Sequence, residues 1–457
     1  MVQWHKAVIK EKEGENMAAR TFKGGVHPYD GKDLSKDVNT ASLLPKGDLV
    51  YPMSQHIGAP AKAVVAKGDK VLVGQKIGEA SGNLSANVIS SVSGTVKAVE
   101  PRLTVAGTMV ESVVIENDKE YTTIEGLGEK RDYTKLSKKE IREIIKEAGI
   151  VGMGGAGFPT HVKLTPENDA AIDYVIVNGS ECEPYLTSDY RMMVEEPERI
   201  ITGLKIVLRL FENAKGVIAV EDNKKDAIAK LTELAASEDR IEVMALKTKY
   251  PQGAERQLMY AVTKRETNAS MHPADAGCIV NNVDTMISIA FAVAESTPLV
   301  RRIITVSGDA ITSPVNFNVL TGTNYAELVE AAGGFKEKPA KLISGGPMMG
   351  QAIYSLDLPV TKTSSALLAF VRDEEAESVE SPCIRCGRCV AVCPSRLLPN
   401  RLTQLSLRSD YEGFEKMYGL ECCECGSCSY VCPSKRHLTQ AIKQGKKAVM
   451  DLHKKNK

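Results

Sequence analysis

A chain of 457 residues has room for three or four domains at the usual ~100 to 200 residues each, and 43% hydrophobic with 25% charged residues is the composition of a globular protein. Lys plus Arg equals Asp plus Glu at 58 each, so no net field points to nucleic acid or to a membrane surface. The longest apolar stretches, such as Ile287 to Ala294, fall far short of the ~18 residues of a bilayer span, so any membrane link is expected to run through a partner.

Residues 1–20 are polar and aperiodic, with Lys6, Lys10, Glu11, Lys12 and Glu13 but no apolar signal-peptide core, and are expected to form a flexible extension. From 21 to 125 short alternating strands are separated by turn residues at Gly58-Ala59-Pro60, Lys67-Gly68-Asp69, Val73-Gly74-Gln75 and Ser93-Gly94-Thr95, which predicts a small all-β domain. Its phrasing resembles the barrel-sandwich hybrid of biotinyl and lipoyl carriers. The tip that would present a modifiable lysine reads Ser81 to Asn87 without one, so docking is expected rather than a swinging arm. His27 and His56, in Gly/Pro-rich turns, read as hydrogen-bonded turn histidines rather than metal ligands.

Residues 130–300 alternate helix and strand. Ser137 caps a helix through Ile141, Ile144 and Ile145, and then comes Gly152-Met153-Gly154-Gly155-Ala156-Gly157-Phe158-Pro159. Glycines at these steps let backbone N–H groups close on a phosphate. A dinucleotide fingerprint should follow a strand and open a helix, whereas a helix precedes this loop and Pro159 follows it, so a plain glycine turn stays open. The strand from Tyr174 runs into Asn178-Gly179-Ser180-Glu181-Cys182-Glu183, a polar cluster where open α/β sheets hold ligands, although helix capping and a solvated loop account for such residues equally well. Further elements are expected at Pro197 to Phe211, Gly216 to Val220, Lys224 to Ala236 and Ile241 to Leu246, with helices opening after Tyr250-Pro251-Gln252-Gly253-Ala254-Glu255 and at Asn281-Asn282-Val283-Asp284-Thr285. Isolated Cys182 and Cys278 read as inert.

Residues 301–370 carry short strands around one helix, Tyr325 to Ala332, and read as a β-grasp module. Behind an acidic linker at Asp373 to Glu380, residues 371–445 hold eight of the eleven cysteines in two C-x2-C-x2-C-x3-C-P runs: Cys383, Cys386, Cys389, Cys393 and Cys422, Cys425, Cys428, Cys432. Zinc has no use for the third Cys of each run, and disulfide scaffolds belong to short secreted chains. The spacing is that of two 4Fe-4S clusters, the fourth Cys of each run serving the other cluster. Cys423 fits neither run and reads as a small buried residue; residues 446–457 read as a basic, fraying tail. Clusters and free thiols suit a reducing compartment, hence the cytoplasm.

In this order the parts resemble the C subunit of the Rnf electron transport complex, over nearly everything after Met17. The middle is similar to the NADH-binding flavoprotein subunit of respiratory complex I. The resemblance implies a multidomain α/β chain: barrel-sandwich hybrid, Rossmann-like flavin domain, β-grasp, and an α-helical ferredoxin-type domain. It implies FMN held by Gly152, Gly154, Gly155, Gly157, Asn281, Asn282 and Thr285 with Lys163 near the phosphate. Asn178, Ser180 and Glu181 would line the flavin, and Phe158 and Glu183 would hold NAD(H). Glu255 matches one of two acids in the corresponding turn of the complex I subunit. The implied partners are the other subunits of a membrane-bound complex, including a ferredoxin-like iron-sulfur subunit, with this chain peripheral on the cytoplasmic face. A corrinoid reductase of the propanediol-utilisation type shares loop and clusters but is expected to begin near the glycine loop. The A subunit of the sodium-translocating NADH:quinone reductase should lack the cysteine runs, and a non-enzymatic scaffold wiring clusters between subunits would have no working flavin pocket.

Overall fold

The structure, a computed structural model, describes residues 20–455. The extension expected before Arg20 and the last two residues of the expected tail lie outside the described residues. Among the described residues no helix is long and apolar enough to cross a membrane.

The centre is a four-stranded parallel sheet in the order Ile241–Leu246, Lys215–Glu221, Tyr174–Gly179, Cys278–Asn282. Its strands are nearly continuous runs of Val, Ile and Ala because both faces are covered, as parallel sheets require. Val175, Val177, Ile218 and Val220 face the helices Pro197–Leu208 and Val283–Ala294, whereas Ile176, Val217 and Ala219 face Glu255–Thr263. The first two helices touch at Gly203, where a Cβ would lie 2.1 Å from the Met286 carbonyl oxygen. The helix Lys138–Glu147 opens with a capping box between Ser137 and Glu140 and buries Ile141 and Ile145.

A six-stranded mixed sheet follows, in the order Ala41–Leu43, Val315–Leu320, Arg301–Ser307, Ala366–Phe370, Lys341–Ser344, Gln351–Ile353, with the helix Tyr325–Ala331 packed on it. Its edge strand comes from the N-terminal region. The all-β part proper is two small sheets around Leu49, Tyr51, Ile77, Val113 and Ile115. This β region is also tied to the rest of the fold by its N-terminal arm. Arg20 bridges to Leu246, Val26 to Tyr250, and Ala41–Leu43 pairs with Phe317 to Val319. Strand edges leave backbone groups that need partners, and this arm supplies them.

The cysteine region is helical: Arg388–Val392, Pro399–Leu407, Tyr411–Lys416, Ser427–Tyr430 and Leu438–Lys455. The expected fraying helix end is the last part of one helix, residues 438–455, whose Ile442 and Val449 are buried against Leu402 and Phe414.

Candidate functional site

The strands Tyr174–Gly179 and Cys278–Asn282 are neighbours, yet the chain leaves the first toward Lys215–Glu221 and the second lies on its other side. Their carboxyl ends therefore flank a topological switch point, the place where open α/β sheets leave a crevice. Asn178, Ser180 and Glu181 stand at one lip and Asn281 and Asn282 at the other. Asn282 caps the helix Val283–Ala294 by accepting the Asp284 N–H at 2.8 Å, which leaves that helix's N-terminal amides directed at the crevice.

The glycine loop closes the mouth. Gly152 N donates to the Phe158 carbonyl at 2.7 Å, and Met153 N to Thr285 Oγ1 at 3.0 Å, which joins the loop to the same helix. Each glycine has its own reason. Gly154 and Gly157 have φ near +77° and +75°, and a Cβ at Gly157 would meet Thr363 at 2.7 Å. Gly155 is not in the left-handed region and a Cβ there would touch nothing within 4 Å. A side chain there would meet open space rather than protein.

Buried polar atoms nearly always find partners, so orphans mark a place where a bound group completes the set. Here both amide atoms of Asn281 lack one, as do Ser180 Oγ, Glu181 Oε2 and Glu183 Oε1. Asn178 has both its amide atoms engaged, by Gly253 O at 2.8 Å and Ser180 N at 3.1 Å, so it shapes the turn. Lys163 is buried beneath the loop, donating to Val280 O at 2.7 Å, with Glu255 Oε2 at 3.7 Å as its counter-ion. That pairing gives Glu255 its role. Phe158 packs near His272 at the loop's far side, ring centroids 6.4 Å apart.

Burial pushes the Glu183 carboxyl up to about 7, against the Met348 N–H at 3.1 Å and the nearby Lys32, which favour the charged form. Asp189 also rises to about 7, through burial and then the neighbouring Glu181, while Asn282 Nδ2 donates to it at 2.6 Å. Sequence reasoning misses Asp189, because a carboxylate in the first turn of Ser188–Glu195 carries no local mark of its partners. It misses Lys32 too. The Lys32 Nζ reaches Glu183 O at 3.0 Å, the Leu186 carbonyl, and Glu181 Oε2 at 3.7 Å, from more than 140 residues away. Burial raises the Cys182 thiol far above its usual range and Cys278 to about 11, which favours the protonated thiol at both.

Among the described residues no three His, Cys, Asp or Glu side chains close on a point as ligands of a single metal ion would. The cysteines ring two small cavities. Cys393, Cys422, Cys425 and Cys428 line one, and Cys383, Cys386, Cys389 and Cys432 the other. Each cavity thus takes three cysteines of one run and the last of the other. Cys423 is half-buried and lines the first cavity, so it is nearer the site than its sequence position implies. The first cavity adjoins the sheet domain: Tyr250 OH donates to Cys425 O at 2.6 Å, and Val26, Tyr250 and Cys425 share a small core with Met348. The second is at the surface, with Cys383 and Cys386 exposed. His56 accepts the Ala86 N–H at 3.0 Å through Nε2, its buried Nδ1 has no partner, and burial holds it neutral, its pKa down to about 4.

Comparison with known proteins agrees with this layout. Residues 20–120 match the RnfC barrel sandwich hybrid domain, 145–291 the Nuo51 FMN-binding domain, and 303–352 the SLBB domain. The chain is 43% identical over 402 residues to the C subunit of the proton-translocating ferredoxin:NAD(+) oxidoreductase complex of Clostridium ljungdahlii, covering 88% of each. It is 42% identical to the C subunit of the Na(+)-translocating complex of Acetobacterium woodii, over 95% of this chain and 98% of that one. The chain belongs to the RnfC family. The C subunit of a Rhodobacter capsulatus ion-translocating oxidoreductase complex is 38% identical over 87% of this chain and 77% of its own. The fold is also similar to an NAD+-reducing NiFe hydrogenase in the air-oxidized state, with TM-score 0.50, 16% identity, and 73% and 72% of the two chains covered. This RnfC-family chain is therefore a mixed α/β protein with barrel-sandwich, FMN-binding-type and SLBB domains in that order.

Proposed function

We propose that this chain is the peripheral NAD(H)-oxidising or NAD(H)-reducing subunit of a membrane-bound, ion-translocating ferredoxin:NAD oxidoreductase, a translocase in which it exchanges electrons between NAD(H), FMN and two 4Fe-4S clusters. The observation that carries this is the junction itself. A crevice with orphaned buried polar atoms and an open glycine loop sits one tyrosine away from a cavity lined by five cysteines, Cys423 among them. Flavin supplies the conversion between two-electron hydride chemistry and the one-electron steps of iron-sulfur clusters.

The chain's own residues bind and orient. Gly154, Gly155 and Gly157, with the N-terminus of Val283–Ala294 capped by Asn282, would offer a phosphate backbone N–H groups, with Lys163 nearby and Gly152 fixing the loop through its N–H on Phe158 O. Asn281 and Ser180 offer the flavin edge unpaired donors and acceptors, and Glu181 sits behind them. Glu183, anchored by the Met348 N–H, presents its free oxygen to a nucleotide hydroxyl, and Phe158 offers an apolar face at the loop. Thr285 and Asn178 hold the loop and the turn in place. The cavity of Cys393, Cys422, Cys425 and Cys428 faces this crevice, and that of Cys383, Cys386, Cys389 and Cys432 faces outward, toward a partner subunit such as a ferredoxin-like iron-sulfur protein. The domain limits proposed are 21–125, 130–300, 301–370 and 371–455, and the setting is the cytoplasmic face of the membrane.

An anaerobic titration with NADH, read at the flavin and cluster bands, tests the reading. A shortened chain ending at Arg372 should still take up FMN, bleach it with NADH and reduce a small artificial acceptor. If the folded shortened chain takes up neither FMN nor NADH, a scaffold that only wires clusters replaces the enzyme.

A further inference from the structure

Lys362 is among the largest fully buried side chains of the molecule, in the turn Thr361 to Ser364 that enters the strand Ala366–Phe370. No carboxylate pairs with it among the described residues. Its Nζ donates to two backbone carbonyls, Gly149 O at 2.7 Å and Asn87 O. Its own N–H donates to Gln55 Oε1 at 3.0 Å. Three parts of the chain meet there: the SLBB turn, the barrel-sandwich loops at Gln55 and Asn87, and the end of the helix Lys138–Glu147.

The glycine loop comes directly after that helix. Gly149 sits at φ +66°, and a Cβ on it would lie 2.4 Å from Asn87 O and 2.8 Å from Lys362 Nζ. Three residues later the loop begins. Its other end is held from the same side, because Ile57 N donates to Gly157 O at 3.3 Å and Thr363 packs where a Gly157 side chain would be. The hairpin tip that a carrier domain would swing is docked here instead: Asn87 is buried, with its amide near Lys146 O and Glu147 O at 3.5 and 3.4 Å.

We propose that Lys362 is a positioning residue for the cofactor loop, and that the barrel-sandwich domain acts as the loop's back wall. A buried donor fork on two carbonyls is costly to lose, because both acceptors then stand unpaired in a dry site. The cation also lies at a helix C-terminus, where the helix field favours it. The flavin part of this inference rests on the function proposed above; the loop part does not.

The test uses the full chain. Lys362→Met keeps the bulk and removes the donors, and Asn87→Ala is a milder second variant should the first fail to fold. FMN binding, followed by quenching of its fluorescence, should weaken roughly tenfold, within the range of indirect coupling between sites. Hydrogen exchange in FMN-free protein should rise in residues 150–158. Val449→Ala, a core truncation in the distant C-terminal helix, should move neither. A pH series adds a readout that mere packing would not give. Burial lowers the Lys362 pKa to about 7, so the folded state binds fewer protons than the unfolded one between there and 10.5. The stability advantage of the native chain over Lys362→Met should therefore grow as pH rises above about 7. His161, Lys76, Lys146 and Glu147 also surround the junction and are present in both proteins; His56, which the Lys362 charge helps to lower, titrates near 4, below the window read here. Unchanged exchange in 150–158 in both variants overturns the proposal, as does an equal rise in Val449→Ala. A native chain that binds no FMN while the exchange result holds sinks the flavin reading and leaves the positioning role standing.

Discussion

The crevice at the sheet and the cysteine region are held together by opposite means. The crevice stands on a large continuous core, with Val175, Val177, Ile218 and Val220 fully buried under two helices, and its polar atoms are fixed by strand ends and a capped helix. The cysteine region's core is Leu397, Leu402, Phe414, Ile442 and Val449, with Leu438 and Ala441 also buried, around two cavities. A core that small does not hold helices of four to nine residues by itself. The difference is that a large apolar core carries the crevice's shape, whereas the cysteine region packs a small one around two cysteine-lined pockets.

The largest effect should come from breaking the second half of that comparison. Anaerobic iron chelation should abolish protease resistance in residues 381–455 and leave the sheet domain's thermal transition in place, on the scale of the ~10 kcal/mol by which metal ligation holds small domains together. Within that region the pairing of runs is testable by EPR. Cys432→Ala should perturb the same signal as Cys386→Ala, and Cys393→Ala the other; a spectrum that groups Cys432 with Cys425 breaks the crossing.

Next in size is a cut at the crevice's support. Arg302 and Asp284 form a buried ion pair, and Arg302 Nε also donates to Ser364 O at 2.9 Å, so the SLBB sheet braces the first turn of Val283–Ala294. Arg302→Met leaves a buried carboxylate alone and should cost about 3 to 5 kcal/mol in a denaturant titration. A loss well under 1 kcal/mol would mean the crevice does not depend on this brace.

Glu183→Gln should be smaller and specific. The amide can still accept the Met348 N–H, so only the charge goes, worth ~1.5 to 3 kcal/mol, or about ten- to a hundredfold in NADH affinity. The sign with pH follows from the raised pKa. Between the usual 4.5 and about 7 the folded state holds a proton that the unfolded chain has released, so this group's contribution to stability falls as pH rises through that window. NADH binding runs the other way, tightening as the carboxylate ionises near 7, and the Glu183→Gln variant should lose that part of the rise. Asp189 titrates in the same window, so any rise that the Glu183→Gln variant keeps belongs to Asp189.

Legibility divides along the same line. The two cysteine-lined pockets are legible because their residues are close in sequence and evenly spaced, and each pocket takes three cysteines of one run and the last of the other. Helices and strands of the sheet domain are equally plain, because periodicity is local: Ile241–Leu246 and Lys341–Ser344 form where their patterns place them. Lys32, Lys362 and Ala41–Leu43 are not legible, because each acts on partners 150 to 300 residues away, and Thr361-Lys362-Thr363-Ser364 reads locally as a solvated turn. The glycine loop lies between these cases. Its composition shows, but which glycine serves the fold and which serves a ligand depends on neighbours from three domains.

That last distinction gives the prediction with the smallest effect on stability. Gly157→Ala places a side chain at φ +75° against Thr363, and should cost at least the ~1 to 2 kcal/mol of a left-handed residue. Gly155→Val meets no strain and no neighbour, so the folded chain should melt within about 0.5 kcal/mol of the native one, as exposed substitutions do. Its FMN binding should nevertheless be lost, because the only thing the new methyl groups can displace is the bound group. The two variants thus separate the loop as structure from the loop as site. A Gly155→Val chain that keeps its stability and still takes up FMN would place the cofactor elsewhere in the crevice.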